Sequence, residues 1–386
     1  MRTQRKVTTA RWPGVLIALA LLAGCGSSGI KDPPQVSPVA PGASPTEVAS
    51  ASPAATGCPG WHLPPQSTVA AAYPTALAFA PDGRLFYAER SGTIRVWQDG
   101  KALAFASVPT VTTEALGAYS ERGLLGLAIS PTFSHDHFVY AFYSETNRST
   151  QRVVRFTDDC SGHGAAEVTV VAGLPGGSDC CHKGGRVAFG PDGDLYVTLG
   201  ETHVADAAQD KCDPRGKILR YTPDGQPAPG NLCGPVYAYG LRNPFGIAFA
   251  PDGRLFVTNN GPSGDAGSPG SGYDTAEVVQ AGANYQWPVC YGYSHAIGGG
   301  SCPAGSVGPD FSSESSTIVP TGATWAASGP YAGHFVFCTF ANDTMKVLIG
   351  PRDVKDGPHG CALDVKQGPD GALYFSDSGS IYRYAG

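Results

Sequence analysis

Apolar and polar residues alternate with a period of two on either side of a recurring turn along much of this chain. Four segments share the pattern: FAPDGRLFYAE from Phe79, FGPDGDLYVTLGE from Phe189, FAPDGRLFVTNNG from Phe249 and QGPDGALYFSDSG from Gln367. In each, proline fixes φ, glycine accepts a positive φ, and the flanking alternation reads as two strands, so each copy predicts a β-hairpin. A fifth segment, AISPTFSHDHFVYAFYSE from Ala128, is a stretched copy. Copies recur at intervals from about 50 to more than 100 residues, which predicts one further divergent unit between Trp287 and Lys346. Helical periodicity sustained over a long window is absent, and 52 glycines with 33 prolines suit a chain of many turns. The expected fold is all-β, a six-bladed β-propeller of four-stranded antiparallel blades over residues 58–386. The C-terminal SIYRYAG run is expected to share a closing blade with residues near Trp61. A β-sandwich is the competing architecture.

The first 57 residues follow a different pattern. Arg2, Arg5, Lys6 and Arg11 precede an apolar run, Val15 to Leu22, that is too short to span a bilayer, and residues 1–24 read as a secretion signal. It closes on Leu22-Ala23-Gly24-Cys25, which resembles the bacterial lipobox. On that reading Cys25 is acylated and anchors an exported protein to the membrane; the alternative is a free cysteine after an ordinary signal. Residues 25–57, rich in Ser, Pro, Ala and Gly, are too poor in large apolar groups to fold and predict a flexible stalk. Removing the signal leaves 22 cations against 32 acidic residues, a formal charge of −10, which argues against a nucleic-acid partner.

Of 11 cysteines, ten remain once Cys25 is assigned to lipid, an even number suited to an oxidising compartment. Nearest-neighbour pairing gives Cys212 with Cys233, Cys290 with Cys302 and Cys338 with Cys361. The adjacent Cys180 and Cys181 allow either a vicinal disulfide or separate bonds to Cys58 and Cys160, and the separate bonds are the preferred expectation. The spacings lack the repeated C-x₂-C of a structural zinc site.

Hairpin register turns the repeat into a site expectation. A turn centred near residue 192 pairs positions whose numbers sum to about 383 or 384, which sets His182 opposite Glu201 or Thr202. The same rule around Pro251 to Gly253 sets Arg242 and Asn243 opposite Asn260 to Pro262. Equivalent ends of successive blades crowd round one mouth of the central channel, so these residues are expected to converge there. A histidine held by a carboxylate suits a general base, because the carboxylate fixes the tautomer and supports the imidazolium while the free nitrogen takes a proton. The competing reading is a structural histidine bonded to a neighbouring strand. His203, in loop-like sequence, is expected to be simply solvated.

At these residues the chain resembles the quinoprotein glucose/sorbosone dehydrogenase family. The motifs occur in family order: ERGLLGLAISP from Glu121, HKGGRVAFGPDGDLYVTLGE from His182, GKILRYTPDG from Gly216, YGLRNPFGIAFAPDGRLFVTNNGP from Tyr239 and GANYQWP from Gly282. The resemblance implies a calcium-dependent enzyme that binds pyrroloquinoline quinone (PQQ) over the channel mouth and oxidises a sugar, handing electrons to an acceptor that the sequence does not identify. It implies His182 as base, Glu201 orienting it in place of an aspartate, and Arg242 and Asn243 on the quinone oxygens. It further implies Asn260 at the cofactor, Gly261 and Pro262 carbonyls on Ca²⁺, and Glu121 touching substrate.

Departures from the family pattern fall in the last blades. Cys361 and Leu363 occupy positions where the family pattern has arginines, and the lysine's place falls near Ala341. PQQ carries three carboxylates, and burying them without cations costs several kcal/mol, so either Lys183, Arg186, Lys346, Arg352 or Lys355 substitutes, or PQQ binds weakly or not at all. A Gly/Ser-rich insertion, Ser263 to Tyr273, also separates Gly261-Pro262 from Asp274 and Glu277. The alternative function is a catalytically silent propeller binding a carbohydrate or protein partner at the exported face. A lactonase-like hydrolytic propeller would need more candidate ligands for a central metal than are visible.

Overall fold

The four Pro-Asp-Gly segments form one repeated turn. Gly83, Gly193, Gly253 and Gly371 all sit at positive φ, between 80° and 94°, where a Cβ is disfavoured. Their N–H groups donate to the carbonyls of Ala80, Gly190, Ala250 and Gly368 at 2.9–3.0 Å. The preceding aspartates, Asp82, Asp192, Asp252 and Asp370, accept the amide two residues on at 3.0–3.2 Å. The computed structural model describes Cys58 and residues 68–386, apart from positions 99 and 166. The expected leader, Cys25, the stalk and Trp61 lie outside the described residues.

These turns build six four-stranded antiparallel sheets. Blade 1 comprises Pro74–Phe79, Leu85–Glu89, Thr93–Gln98 and Lys101–Ser107, and blade 2 comprises Leu124–Ile129, Phe138–Ser144, Thr150–Thr157 and Val168–Pro175. Blade 3 runs through Val187–Phe189, Leu195–Leu199, Lys217–Tyr221 and Val236–Tyr239; blade 4 through Asn243–Phe249, Leu255–Asn260, Thr275–Val279 and Phe311–Ser312. Blade 5 is Pro320–Ala326, His334–Thr339, Thr344–Gly350 and Asp353–His359. It is the divergent unit, placed later than the sequence suggested because an excursion with its own short hairpin, Cys290–Tyr291 with His295–Ala296, precedes the outer strand of blade 4. Blade 6 joins both ends of the chain. From the channel outward it holds Asp364–Gln367, Leu373–Ser376, Ser380–Tyr384 and, outermost, Thr68–Ala70, with Val69 opposite Ile381. The closing partner of the C-terminal strand is therefore Thr68–Ala70, in the stretch that follows Trp61.

Instead of one central core, the described residues form six apolar clusters, one between each pair of neighbouring blades. Strand alternation explains the division. In blade 1, Ala76, Ala78, Phe86 and Ala88 face blade 2, whereas Leu77, Leu85 and Tyr87 face blade 6. Both faces of every inner strand are thus buried, which locks the register and with it the heights at which polar residues emerge into the channel.

Three expected disulfides form as anticipated: Cys212–Cys233, Cys290–Cys302 and Cys338–Cys361. The preferred expectation for the other four cysteines is overturned, since Cys58 pairs with Cys160 and Cys180 pairs with Cys181. Topology gives the reason. Cys160 follows the third strand of blade 2 at the rim of the Pro-Asp-Gly turns, where Cys58 meets Arg84 and Asp158. Cys180 and Cys181 lie at the opposite rim, immediately before His182, so no single cysteine can serve both. No helix among the described residues is long and apolar enough to cross a membrane.

Candidate active site at the channel mouth

All six blades contribute to the mouth opposite the turn rim. Its floor is a ring of residues at one position in the repeat, eight before the turn glycine in blades 1, 4 and 6. Thr75, Leu125, Phe245, Thr321 and Leu363 line it, and blade 3 offers only Gly185 there. The walls are Tyr73, Arg90, Tyr119, Ser120, Glu121, Asn243, Asn260, Val319 and Phe340, around a cavity of about 580 Å³ that opens to solvent.

His182 stands beside this mouth, buried, with Nδ1 against the Oε1 of a fully buried Glu201. The register expectation is met by these two side chains beyond the end of the ladder, which begins at Val187 opposite Val197. Close approach depends on Gly200, where a Cβ would lie 2.2 Å from the His182 carbonyl oxygen. His182, Thr202 and His203 all adopt positive φ, 58°, 53° and 63°. Such left-handed non-glycine residues cost about 1–3 kcal/mol each and gather where the surroundings overdetermine them. His203 is not merely solvated: its ring stacks on His182 with centroids 4.0 Å apart and planes 18° from parallel. Burial, then the proximity of His182, holds its pKa below the ordinary histidine value.

Glu121 and Asn243 connect His182 to the mouth. The Glu121 carboxylate accepts from the Lys183 amide and from Asn243 Nδ2, each at 3.3 Å. Asn243 Oδ1 accepts the Gly184 amide at 3.1 Å, and Asn243 pairs with Asn260 across blade 4 as expected. Asn260 Nδ2 donates to the carbonyls of Asn243 and Pro320 at 3.3 and 3.2 Å.

Arg242 is turned away from the mouth by the inserted loop. Its Nε donates to Asp265 Oδ2 at 2.8 Å and its Nη2 to Ser263 Oγ at 2.6 Å and Asp265 Oδ1 at 3.1 Å, while Nη1 reaches the Gly261 carbonyl. Burial alone would raise the Asp265 carboxyl, but hydrogen bonds and charge from Arg242 hold it below the usual range. Gly261 and Pro262 line a second cavity of about 380 Å³, which shares Asn260 with the mouth and also contains Glu277 and Trp287. Within it Asn260 Oδ1 and Glu277 Oε2 are buried without partners, and burial pushes the Glu277 carboxyl up to about 8. Asp274 is occupied structurally, accepting the amides of Gly261, Ile318 and Val319 at 2.8–2.9 Å.

Of the five cations expected to substitute for the missing arginines, only Arg186 lines the mouth. It stems from one position nearer the turn rim than the floor ring, with Nη2 donating to the Leu363 carbonyl at 2.8 Å and Nη1 lying 3.4 Å from Asp364 Oδ2. Nε and Nη1 have no hydrogen-bond partner, and burial, opposed by Asp364, pulls the guanidinium below its ordinary pKa. Lys183 is buried beneath the rim, donating to the carbonyls of Gly176 and Asp179, and burial lowers it to about 8. Lys346 pairs with Asp356, Arg352 packs on Tyr293, and Lys355 packs on Tyr331, all on the outer strands of blade 5 or the turn between them.

Sequence reading missed Arg90, which lines the mouth while donating to the carbonyls of Arg122, Thr112 and Ser120. The repeat carried the signal, because Arg90 and Asn260 each stand seven residues after their turn glycines, Gly83 and Gly253. Asp265, the partner of Arg242, was hidden in the insertion, where no repeat position constrains it.

Residues 71–383 match the family model described as glucose/sorbosone dehydrogenase. The aldose sugar dehydrogenase YliI of Escherichia coli is 29% identical over 331 residues, covering 78% of this chain and 86% of that protein. The PQQ-bound form of the aldose sugar dehydrogenase of Streptomyces coelicolor is 29% identical with a TM-score of 0.67, over 83% of this chain and 99% of its own. The apo-form of the soluble aldose sugar dehydrogenase of Escherichia coli has 26% identity and a TM-score of 0.68, over 81% and 96%.

Proposed function

The chain belongs to the glucose/sorbosone dehydrogenase family, and on that premise we propose that it oxidises an aldose or related sugar with PQQ and calcium. The observation that carries this reading is the buried His182–Glu201 pair beside a six-blade mouth that Arg186 lines with a guanidinium only partly engaged, by the Leu363 carbonyl and Asp364. The residues present fit both groups. The free Nε and Nη1 of Arg186, with Arg90 across the mouth, suit the carboxylates of the quinone. The unpartnered oxygens of Asn260 and Glu277, beside Gly261 and Pro262, are hard donors of the kind calcium takes. When bound, the quinone supplies the hydride acceptor and calcium polarises it.

The chain's own residues supply the rest. His182 takes the proton from the sugar hydroxyl through Nε2, because Nδ1 is committed to Glu201, whose charge supports the imidazolium. Glu121 and Asn243 orient the substrate at the rim. Arg242 would stabilise developing negative charge once it leaves Asp265. Export and acylation of Cys25 complete the reading, and intact-mass analysis of the mature N-terminus tests them.

Titrating stalk-free protein with PQQ and Ca²⁺, followed by absorbance and by dye reduction over an aldose panel, tests the function. Saturable quinone binding and aldose-dependent reduction are expected; neither appearing would end the proposal. The engagement of Arg242 by Asp265 and the apolar blade 6 floor favour a second reading, a silent carbohydrate-binding propeller, which predicts sugar binding without quinone absorbance.

A further inference from the structure

Beside the His182 base stands a feature that this reading does not use. The Cys180–Cys181 disulfide links adjacent residues, and both remain partly exposed. Their sulfurs lie with a His203 ring nitrogen in one group of atoms mutually within 4.8 Å, and His203 in turn stacks on His182. The loop that carries them is fixed from below. Arg122 donates to the carbonyls of Gly176, Gly177 and Asp179, and Lys183 to those of Gly176 and Asp179.

The polar groups of Cys180 are already spent on the protein. Its carbonyl accepts from the Glu121 amide at 2.8 Å and from Ser120 Oγ at 3.2 Å, and its amide donates to Asp179 at 2.7 Å. What Cys180 and the disulfide sulfurs offer outward is sulfur and methylene, a polarisable surface that loses little conformational freedom when a ligand packs against it. It is tied through Glu121 to the mouth and through His203 to the base.

Resting on the sugar-oxidising reading above, we infer that the Cys180–Cys181 disulfide and the His203 ring form the apolar wall of the substrate subsite. The C–H face of the sugar packs on this wall while the opposite edge meets His182 and Glu121. The wall places the reacting hydroxyl by contact and makes no hydrogen bond of its own, so it favours sugars that present an uninterrupted C–H face.

The test compares wild type with Cys180→Ser/Cys181→Ser, His203→Ala and His203→Phe. Steady-state kinetics, sugar Kd by calorimetry and quinone binding by absorbance are measured, with Tm and thiol titration confirming fold and disulfide. In both the double serine variant and His203→Ala, KM and sugar Kd should rise about tenfold, with kcat within about threefold and quinone affinity unchanged. His203→Phe, which keeps the flat ring, should recover most of that loss. If the double serine variant keeps wild-type KM and Kd, or loses kcat alone, the wall does not exist, although the functional reading survives. If wild type binds quinone but no aldose, or neither, both ideas fail together.

Discussion

The two halves of the mouth have diverged in opposite directions. On the side of blades 3 and 4, buried polar groups crowd together: His182 on Glu201, Asn243 between Glu121 and Gly184, and Arg186 with two unpartnered nitrogens. On the side of blades 5 and 6, Val319, Thr321, Phe340 and Leu363 line the cavity, and Cys361 is fully buried in a disulfide with Cys338. Proton-transfer chemistry and cofactor anchoring are therefore separable in this propeller. The first needs groups from neighbouring strands in fixed register; the second needs only positive charge somewhere around the ring, and on the proposed function Arg186 and Arg90, which line the mouth from blades 3 and 1, would supply it.

If the polar half carries the chemistry, His182→Ala should lower kcat for dye reduction by about 10³-fold or more while quinone binding persists. A variant retaining full rate with bound quinone would remove His182 from the mechanism. The anchoring claim predicts a different outcome for Arg186→Leu: quinone affinity should fall about 100-fold, the loss of roughly two hydrogen bonds to a charged group. Arg90→Leu should cost about tenfold, because part of that guanidinium is already held by carbonyls. Lys346→Met, on the outer face of blade 5, should change neither. An equal loss from Lys346→Met would return the anchor to the apolar half.

The inserted loop sharpens the same contrast, since it introduces a carboxylate that competes for the polar half's second guanidinium. Asp265→Asn weakens the clamp on Arg242 while keeping its size, and quinone affinity measured by absorbance titration should rise by about threefold to tenfold. An unchanged or lower affinity would mean that Arg242 serves to fix the loop and not to meet the cofactor.

Much of this arrangement was legible in the sequence wherever repeat and register governed it. The Pro-Asp-Gly turns fixed the hairpins, and period-two alternation set His182 against Glu201 and Asn243 against Asn260. What escaped lay where no periodicity acts. The closing strand at Thr68–Ala70 carries no turn motif. The pairing of Cys180 with Cys181 follows from which rim each cysteine occupies, a fact of three-dimensional topology. His203 looked like a solvated loop residue because stacking on His182 depends on left-handed backbone at His182, Thr202 and His203, which composition does not announce. Arg186 could be named as one of five candidate cations, yet only the placement of its strand at the channel separates it from Lys346, Arg352 and Lys355.

The smallest effect concerns what the polar half costs the fold. Burial lowers Lys183 to about 8, against 10.5 in an unfolded chain. Below about pH 8 both states hold the proton and the folded state carries the full cost of a buried ammonium. Between about 8 and 10.5 the unfolded chain keeps a proton that the folded one has shed, so this residue's contribution to stability rises with pH. The neutral amine still has two N–H donors for its two carbonyl partners, Gly176 and Asp179, so deprotonation need not break the contacts that hold the disulfide loop. Lys183→Met lacks the titration. Thermal unfolding of both proteins across this range should show the Tm difference moving in favour of the wild type as pH increases. A difference that stays flat, or moves the other way, would mean the ammonium is stabilised by those carbonyls more than burial penalises it.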